Sequence, residues 1–172
     1  MYKILFSIFF ILIISKVDLK AQGEAAVPFL LIQPSSGLSG MASAFTALPT
    51  KDTFGFYYNP AQLGIFSQTE NFSYQRMRVD WLSQFNFSDL YFKTNGFSIG
   101  YNFNSKELPI SLGFGYLKSF LNLGENIWID ETGNELGTFN SKEWYDAVSI
   151  GISYNYIINI ALGLTYKSIV SD

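Results

Sequence analysis

Six stretches of the chain alternate apolar residues with small or polar ones at a strict period of two, which commits them to strands whose two faces differ in chemistry. From Phe97 to Asn104 the odd positions are Phe97, Ile99, Tyr101 and Phe103, and the even ones Ser98, Gly100, Asn102 and Asn104. The same pattern sets Ile110, Leu112, Phe114 and Tyr116 against Ser111, Gly113 and Gly115. It returns with Val148, Ile150, Ile152, Tyr154 and Tyr156 against Ser149, Gly151, Ser153 and Asn155, and with Ile160, Leu162, Leu164 and Tyr166 against Ala161, Gly163 and Thr165. A soluble sandwich buries its greasy face and shows water a face rich in Lys and Glu. Here the second face carries Ser, Gly, Asn and Thr. Apolar-out and small-polar-in over about ten residues is the pattern of a transmembrane β-barrel, with the soluble sandwich as its competitor.

The N-terminus and the composition bear on the compartment. Met1-Tyr2-Lys3 precedes an apolar run from Ile4 to Ile14 broken only by Ser7, and Lys16, Asp18 and Lys20 end it. That run is too short for a membrane helix and fits a secretory signal peptide over residues 1–21, cleaved after Ala21. Removing it leaves 8 basic and 13 acidic residues, a mildly acidic chain with no basic block, so nucleic acid is not an expected partner. The chain has no Cys and no His, which removes disulfides, Cys/His zinc sites and the usual general base. No metal, no cofactor and no enzymatic activity are expected. The compositional outlier is aromatic: 17 Phe, 11 Tyr and 3 Trp, the side chains from which barrels build girdles at the lipid boundaries.

Residues 22–68 do not alternate and are rich in small and turn-forming residues. Within them Leu38, Met41, Phe45 and Leu48 are spaced to line one side of a short helix. Strands are expected at about 69–78, 84–93, 95–104, 110–120, 144–157 and 159–169, as an antiparallel meander. Asn95-Gly96 reads as a hairpin turn, Asn104 to Pro109 as a second and Tyr156-Ile157-Ile158-Asn159 as a third. Residues 121–143, with six charges and Gly124, Gly133 and Gly137, read as a long external loop or a small hairpin of its own. Arg76, Arg78 and Asp80, followed by Trp81, read as a solvated turn beside an interfacial aromatic. Asp89 shares a face with Phe85, Phe87 and Tyr91, which puts it at a membrane boundary or shifts that strand's register. Six strands do not close a single-chain barrel, so the chain is read as the first part of a longer one, with a subunit that closes only with partners as the alternative. The expected division is a signal peptide, 1–21, an N-terminal plug segment, 22–68, and the first part of an all-β antiparallel barrel, 69–172.

Two blocks in the N-terminal segment carry a resemblance. Gly40, Met41, Ala44, Phe45, Thr46 and Ala47 form the first, and Tyr57, Tyr58, Asn59, Pro60, Ala61 and Leu63 the second; Glu131 to Phe139 adds a Gly-Thr-Phe segment. Their order and spacing resemble the PorV/PorQ group of outer-membrane proteins, relatives of the FadL-type barrels, from about Ala25 to the end. Ala42, Ser43 and Gln62 depart from it where the family has glycine. The resemblance implies a 14-stranded barrel with an N-terminal plug in the outer membrane of a Gram-negative bacterium, serving a type IX secretion system by holding or shuttling cargo proteins. Asn59-Pro60 is a turn-initiating pair, with Asn59 pushed toward extended backbone and its amide free to cap the next turn. Its aromatic surroundings Phe54, Phe56, Tyr57 and Tyr58 either anchor the plug or line a ligand path.

Two functions stay open. The first is a protein-binding role in secretion, with Trp128, Phe139 and Trp144 as contacts, unless Trp128 and Trp144 only sit in the interfacial girdle. The second is passage of a hydrophobic small molecule, which an apolar pocket near Phe45 and Phe56 would favour. Outer-membrane lipid is a partner in either case. Phe97, Ile99, Tyr101, Leu112, Phe114, Ile150, Ile152, Leu162 and Leu164 are expected to face it, so that arginine at Ile152 should disturb assembly more than arginine at Ser153.

Overall fold

A computed structural model describes residues 28–41, 46–80, 90–103 and 109–171. Its frame is one antiparallel sheet of five strands in chain order: β1 Phe72–Asp80, β2 Leu90–Asn102, β3 Ile110–Ile129, β4 Glu135–Asn155 and β5 Asn159–Ser171. The meander is as expected, and β1 and β5 are its two edges. The expected signal peptide lies outside the described residues, as do Phe45, Trp81, Asp89 and residues 84–88 of the expected second strand.

Among the described residues there are five strands instead of six, because the described parts of the expected strands 84–93 and 95–104 form one strand, β2. Asn95-Gly96 is no turn: Gly96 lies inside β2, opposite Leu117. A Cβ on Gly96 would lie 2.6 Å from the Tyr116 carbonyl oxygen and 2.8 Å from the Phe54 ring, so its glycine makes room for a packed ring. Arg76, Arg78 and Asp80 are likewise inside a strand rather than in a turn. Of the two readings of residues 121–143, the hairpin holds and the loop does not. β3 and β4 run on to Ile129 and back from Glu135, making a ribbon closed by a turn at Asp130–Asn134. The turn at Tyr156–Asn159 is present, closed by the Asn155–Asn159 pair.

Register turns the alternation into rows. On the open face Tyr74, Phe97, Tyr116, Val148 and Tyr166 stand side by side across all five strands. Beneath them lie Phe72, Ile99, Phe114, Ile150 and Leu164, and then Tyr101, Leu112, Ile152 and Leu162. The nine residues expected to share one face do share it, and all but Phe97 are exposed.

The opposite face is covered by residues 28–41 and 46–68. This segment holds a 3-10 turn, Pro28–Leu31, and three short helices: α1 Ser36–Gly40, α2 Gly55–Tyr58 and α3 Gln62–Phe66. The helix expected along Leu38–Leu48 ends at Gly40. Leu38 is buried, whereas Met41 and Leu48 stand exposed, because the spacing that predicted one apolar side is not used by a continuous helix. Phe29, Phe54, Phe56 and Leu63 from the segment and Phe92, Leu117, Leu121, Tyr145 and Ala147 from the sheet make the core.

The small residues of the covered face exist for this docking. Gly100, Gly113, Gly151 and Gly163 form one row across four strands, and the backbone from Pro60 to Ser67 lies on it. Each of these glycines faces main-chain atoms at less than a side chain's distance; a Cβ on Gly151 would stand 2.7 Å from the Pro60 carbonyl oxygen. The serines satisfy the segment's carbonyls, which would otherwise be buried without partners. Ser98 donates to Thr53 (3.0 Å) and Ser153 to Gly64 (2.8 Å), and the Asn102 amide donates to the Gln68 carbonyl (3.0 Å).

Candidate functional site

Two regions hold the residues singled out by sequence, and the structure keeps them apart. The first is the docked segment. Asn59 is extended (φ −149°, ψ 107°), as the following proline requires. Its side-chain oxygen accepts from the Ala61 N–H at 3.1 Å and its amide donates to the Thr46 carbonyl at 2.9 Å, so the Asn59-Pro60 step both starts α3 and ties down the strand-free stretch before it. Where the family pattern has glycine, Gln62 is buried and donates to the Leu48 carbonyl at 2.6 Å, a second tie to the same stretch.

Tyr57 and Tyr58 meet edge to face, with ring centroids 5.2 Å apart. Tyr57 also packs on Tyr145 of β4 at 6.0 Å, and Phe29 packs on Tyr145 at 5.5 Å. The Lys167 ammonium of β5 lies 4.2 Å from the Tyr57 ring centre, and the Tyr57 hydroxyl donates to the Leu30 carbonyl. One aromatic cluster thus joins the 3-10 turn, α2, β4 and β5. Burial pushes the Tyr57 hydroxyl above its ordinary value, and burial together with the nearby Tyr57 and Asp52 pushes Tyr58 up to about 12. Both stay protonated near neutral pH, far from the range in which a side chain exchanges protons catalytically.

Phe54 and Phe56 are fully buried, filling the spaces over Gly96 and Gly115. Gly40 and Met41 touch none of this: Gly40 has open space around its Cα, and Met41 ends α1 at the surface. Near the end of the segment, the cleft lined by Gln68, Asn102, Pro109, Ser111 and Asn155 has a volume of about 50 Å³. That is room for water rather than for a hydrophobic molecule.

The second region is the ribbon. Gly124 takes a left-handed φ of 73° at a bulge between Asn122 and Glu125, which bends β3 where it leaves the covered part of the sheet. Beyond it Trp128 stands opposite Gly137 and Phe139 opposite Asn126, so the two aromatics share a face. They are 65 % and 53 % exposed. Trp144 is not with them. It lies on the other face, between Phe120 and Val170 and two rows beyond the apolar row that contains Val148. The three expected contact residues therefore divide into an exposed pair on the ribbon and a half-buried residue on the five-stranded part of the sheet. At the tip the Asp130 carboxylate accepts from the Thr132 N–H (2.9 Å) and hydroxyl (2.8 Å) and from the Asn134 N–H (2.7 Å), which fixes the turn.

Sequence reading did not single out the glycine row, because each glycine alone looks like routine alternation. Only pairing reveals that Gly100, Gly113, Gly151 and Gly163 are neighbours. Among the described residues no cluster of acidic, Cys or His side chains could hold a metal, and no helix is long and apolar enough to cross a membrane. Comparison of the chain with family models, curated proteins and solved structures gives no match.

Proposed function

We propose that this chain forms the first strands and the inner segment of an outer-membrane β-barrel of the PorV/PorQ type, which holds secreted partner proteins at the cell surface through the β3–β4 ribbon. The observation that carries the reading is the sheet's asymmetry. One face bears continuous rows of Phe, Ile, Leu, Tyr and Val, while the other is covered by the N-terminal segment. A soluble sheet packed on a segment with one side only would leave those rows in water, whereas a barrel wall presents them to lipid and fills its lumen with the segment.

Strand length supports the role of the ribbon. β3 has 20 residues and β4 has 21, and a tilted strand crosses the bilayer in about 9–11. The apolar rows lie at the end of these strands away from the tip, so the remainder projects into water and carries Trp128 and Phe139 with it. Exposed aromatics in a polar surround are the usual anchors of protein interfaces. Passage of a hydrophobic molecule is the weaker reading, since Phe54 and Phe56 fill the space near the family-like blocks instead of lining a path.

The test replaces residues 125–142 by an Asn-Gly turn, which removes the ribbon and leaves the wall. Insertion into the outer membrane should continue while surface delivery of partner proteins stops. Normal delivery combined with reduced uptake of a hydrophobic compound would replace this reading with transport.

A further inference from the structure

Just beyond the apolar rows the open face changes chemistry. The next row is Arg76, Asn95, Lys118, Asp146 and Ser168, and the one after it Arg78, Lys93, Phe120, Trp144 and Val170. With Lys142 one row further on, five of the seven Lys and Arg side chains among the described residues fall in this band. Two carboxylates share it: Asp80 pairs with Arg78 at 2.7 Å, and Asp146 lies 3.7 Å from Lys118 while accepting from the Tyr116 hydroxyl at 2.5 Å. Among the described residues Arg76 and Lys93 carry no such pair, and Lys93 lies 5.0 Å from the Phe120 ring centre, held over an aromatic surface. The ribbon beyond is acidic, with Glu125, Asp130, Glu131 and Glu135.

From this placement we infer that Arg76, Lys93 and Lys118 bind the phosphates of lipid A in the outer leaflet. The inference rests on the barrel-wall reading, which puts the band at the headgroup level on the ribbon side. Interleaved cations and aromatics suit that level: the rings sit at the boundary and the cations meet anionic headgroups. An acidic soluble partner is disfavoured, because the ribbon through which it would approach carries the same sign of charge.

The full-length protein, including the strands that complete the barrel, is folded into phosphatidylcholine vesicles containing bis-phosphorylated lipid A, dephosphorylated lipid A or phosphatidylglycerol. The lipid that stays with the protein in mild detergent is then counted by mass spectrometry. Bis-phosphorylated lipid A should be retained, and the Arg76→Gln, Lys93→Gln, Lys118→Gln variant should lose it by about a hundredfold. The charge-keeping variant Arg76→Lys, Lys93→Arg, Lys118→Arg should hold it, as should Glu131→Gln, Glu135→Gln on the ribbon. Undiminished retention by the triple glutamine variant overturns the inference. So does equal retention of phosphatidylglycerol, or loss of an acidic protein's binding with lipid unchanged. Protease-protected insertion into pure phosphatidylcholine is scored separately. If it fails, the wall reading falls and this inference with it; if it succeeds without lipid A retention, only the inference falls.

Discussion

Gly151 and Gly40 are the same residue type under opposite constraints. A methyl group on Gly151 would stand 2.7 Å from the Pro60 carbonyl oxygen and 2.8 Å from the Gly64 nitrogen, both main-chain atoms that cannot step aside. Gly151→Ala should therefore lift the segment off the wall and cost about 1–3 kcal/mol. Gly40 ends α1 with nothing near its Cα among the described residues, so Gly40→Ala should be neutral or stabilise by up to about 1 kcal/mol through the unfolded chain. Denaturant unfolding of the two variants checks the contrast. The same close packing revises the expectation for arginine at Ser153. That side chain is buried against Gly64, so Ser153→Arg would displace α3 and is no mild control for Ile152→Arg. Ser168, exposed in the row with Lys118 and Asp146, is the suitable one. In a membrane-folding assay Ile152→Arg should cost about 2–4 kcal/mol and Ser168→Arg about 0–1.

At the scale of elements, the ribbon depends on one carboxylate. Asp130 accepts hydrogen bonds from Thr132 and Asn134, which pull its carboxyl from 3.8 down to about 2. A depressed folded-state value means that the stabilisation is present above the unfolded value and is lost as pH falls toward 2. Amide protection at residues 128–136, taken relative to the intrinsic exchange rate at each pH, should accordingly fall between about pH 4 and pH 2, and Asp130→Ala should show the reduced protection already at neutral pH with no further loss in acid. Strand legibility followed burial. Where one face meets the segment and the other is apolar, as along Ile110–Leu121, alternation marks the strand plainly. From Asn122 to Lys142 both faces are open, so no period of two is imposed and the strands read as a loop. Asn95-Gly96 misled for a related reason: glycine serves both turns and close packing, and only the partner strand shows which. In the candidate site, the Asn59-Pro60 geometry was legible because proline constrains its neighbour locally. The separation of Trp144 from Trp128 was not, because it depends on a bulge at Gly124 and on pairing with β5.

For the molecule as a whole, the reading fixes which end of the sheet faces which compartment. β3 and β4 continue well past the apolar rows on one side, whereas the Tyr156–Ile158 turn closes directly against them on the other. Outer-membrane barrels put long connections outside and short turns in the periplasm, so the proposed barrel would carry Leu136 outside the cell and Ile158 in the periplasm. Because the chain has no cysteine, a single Cys at either position reports its own location without background. Leu136 and Ile158 are both exposed, so neither substitution disturbs packing. A membrane-impermeant maleimide should label Leu136→Cys in intact cells and Ile158→Cys only after the outer membrane is opened. Labelling of both in intact cells would mean that the rows are not embedded. Labelling in the reverse order would keep the wall, turn it over, and place the ribbon, its aromatic pair and the basic band in the periplasm, where neither cell-surface partners nor lipid A could reach them.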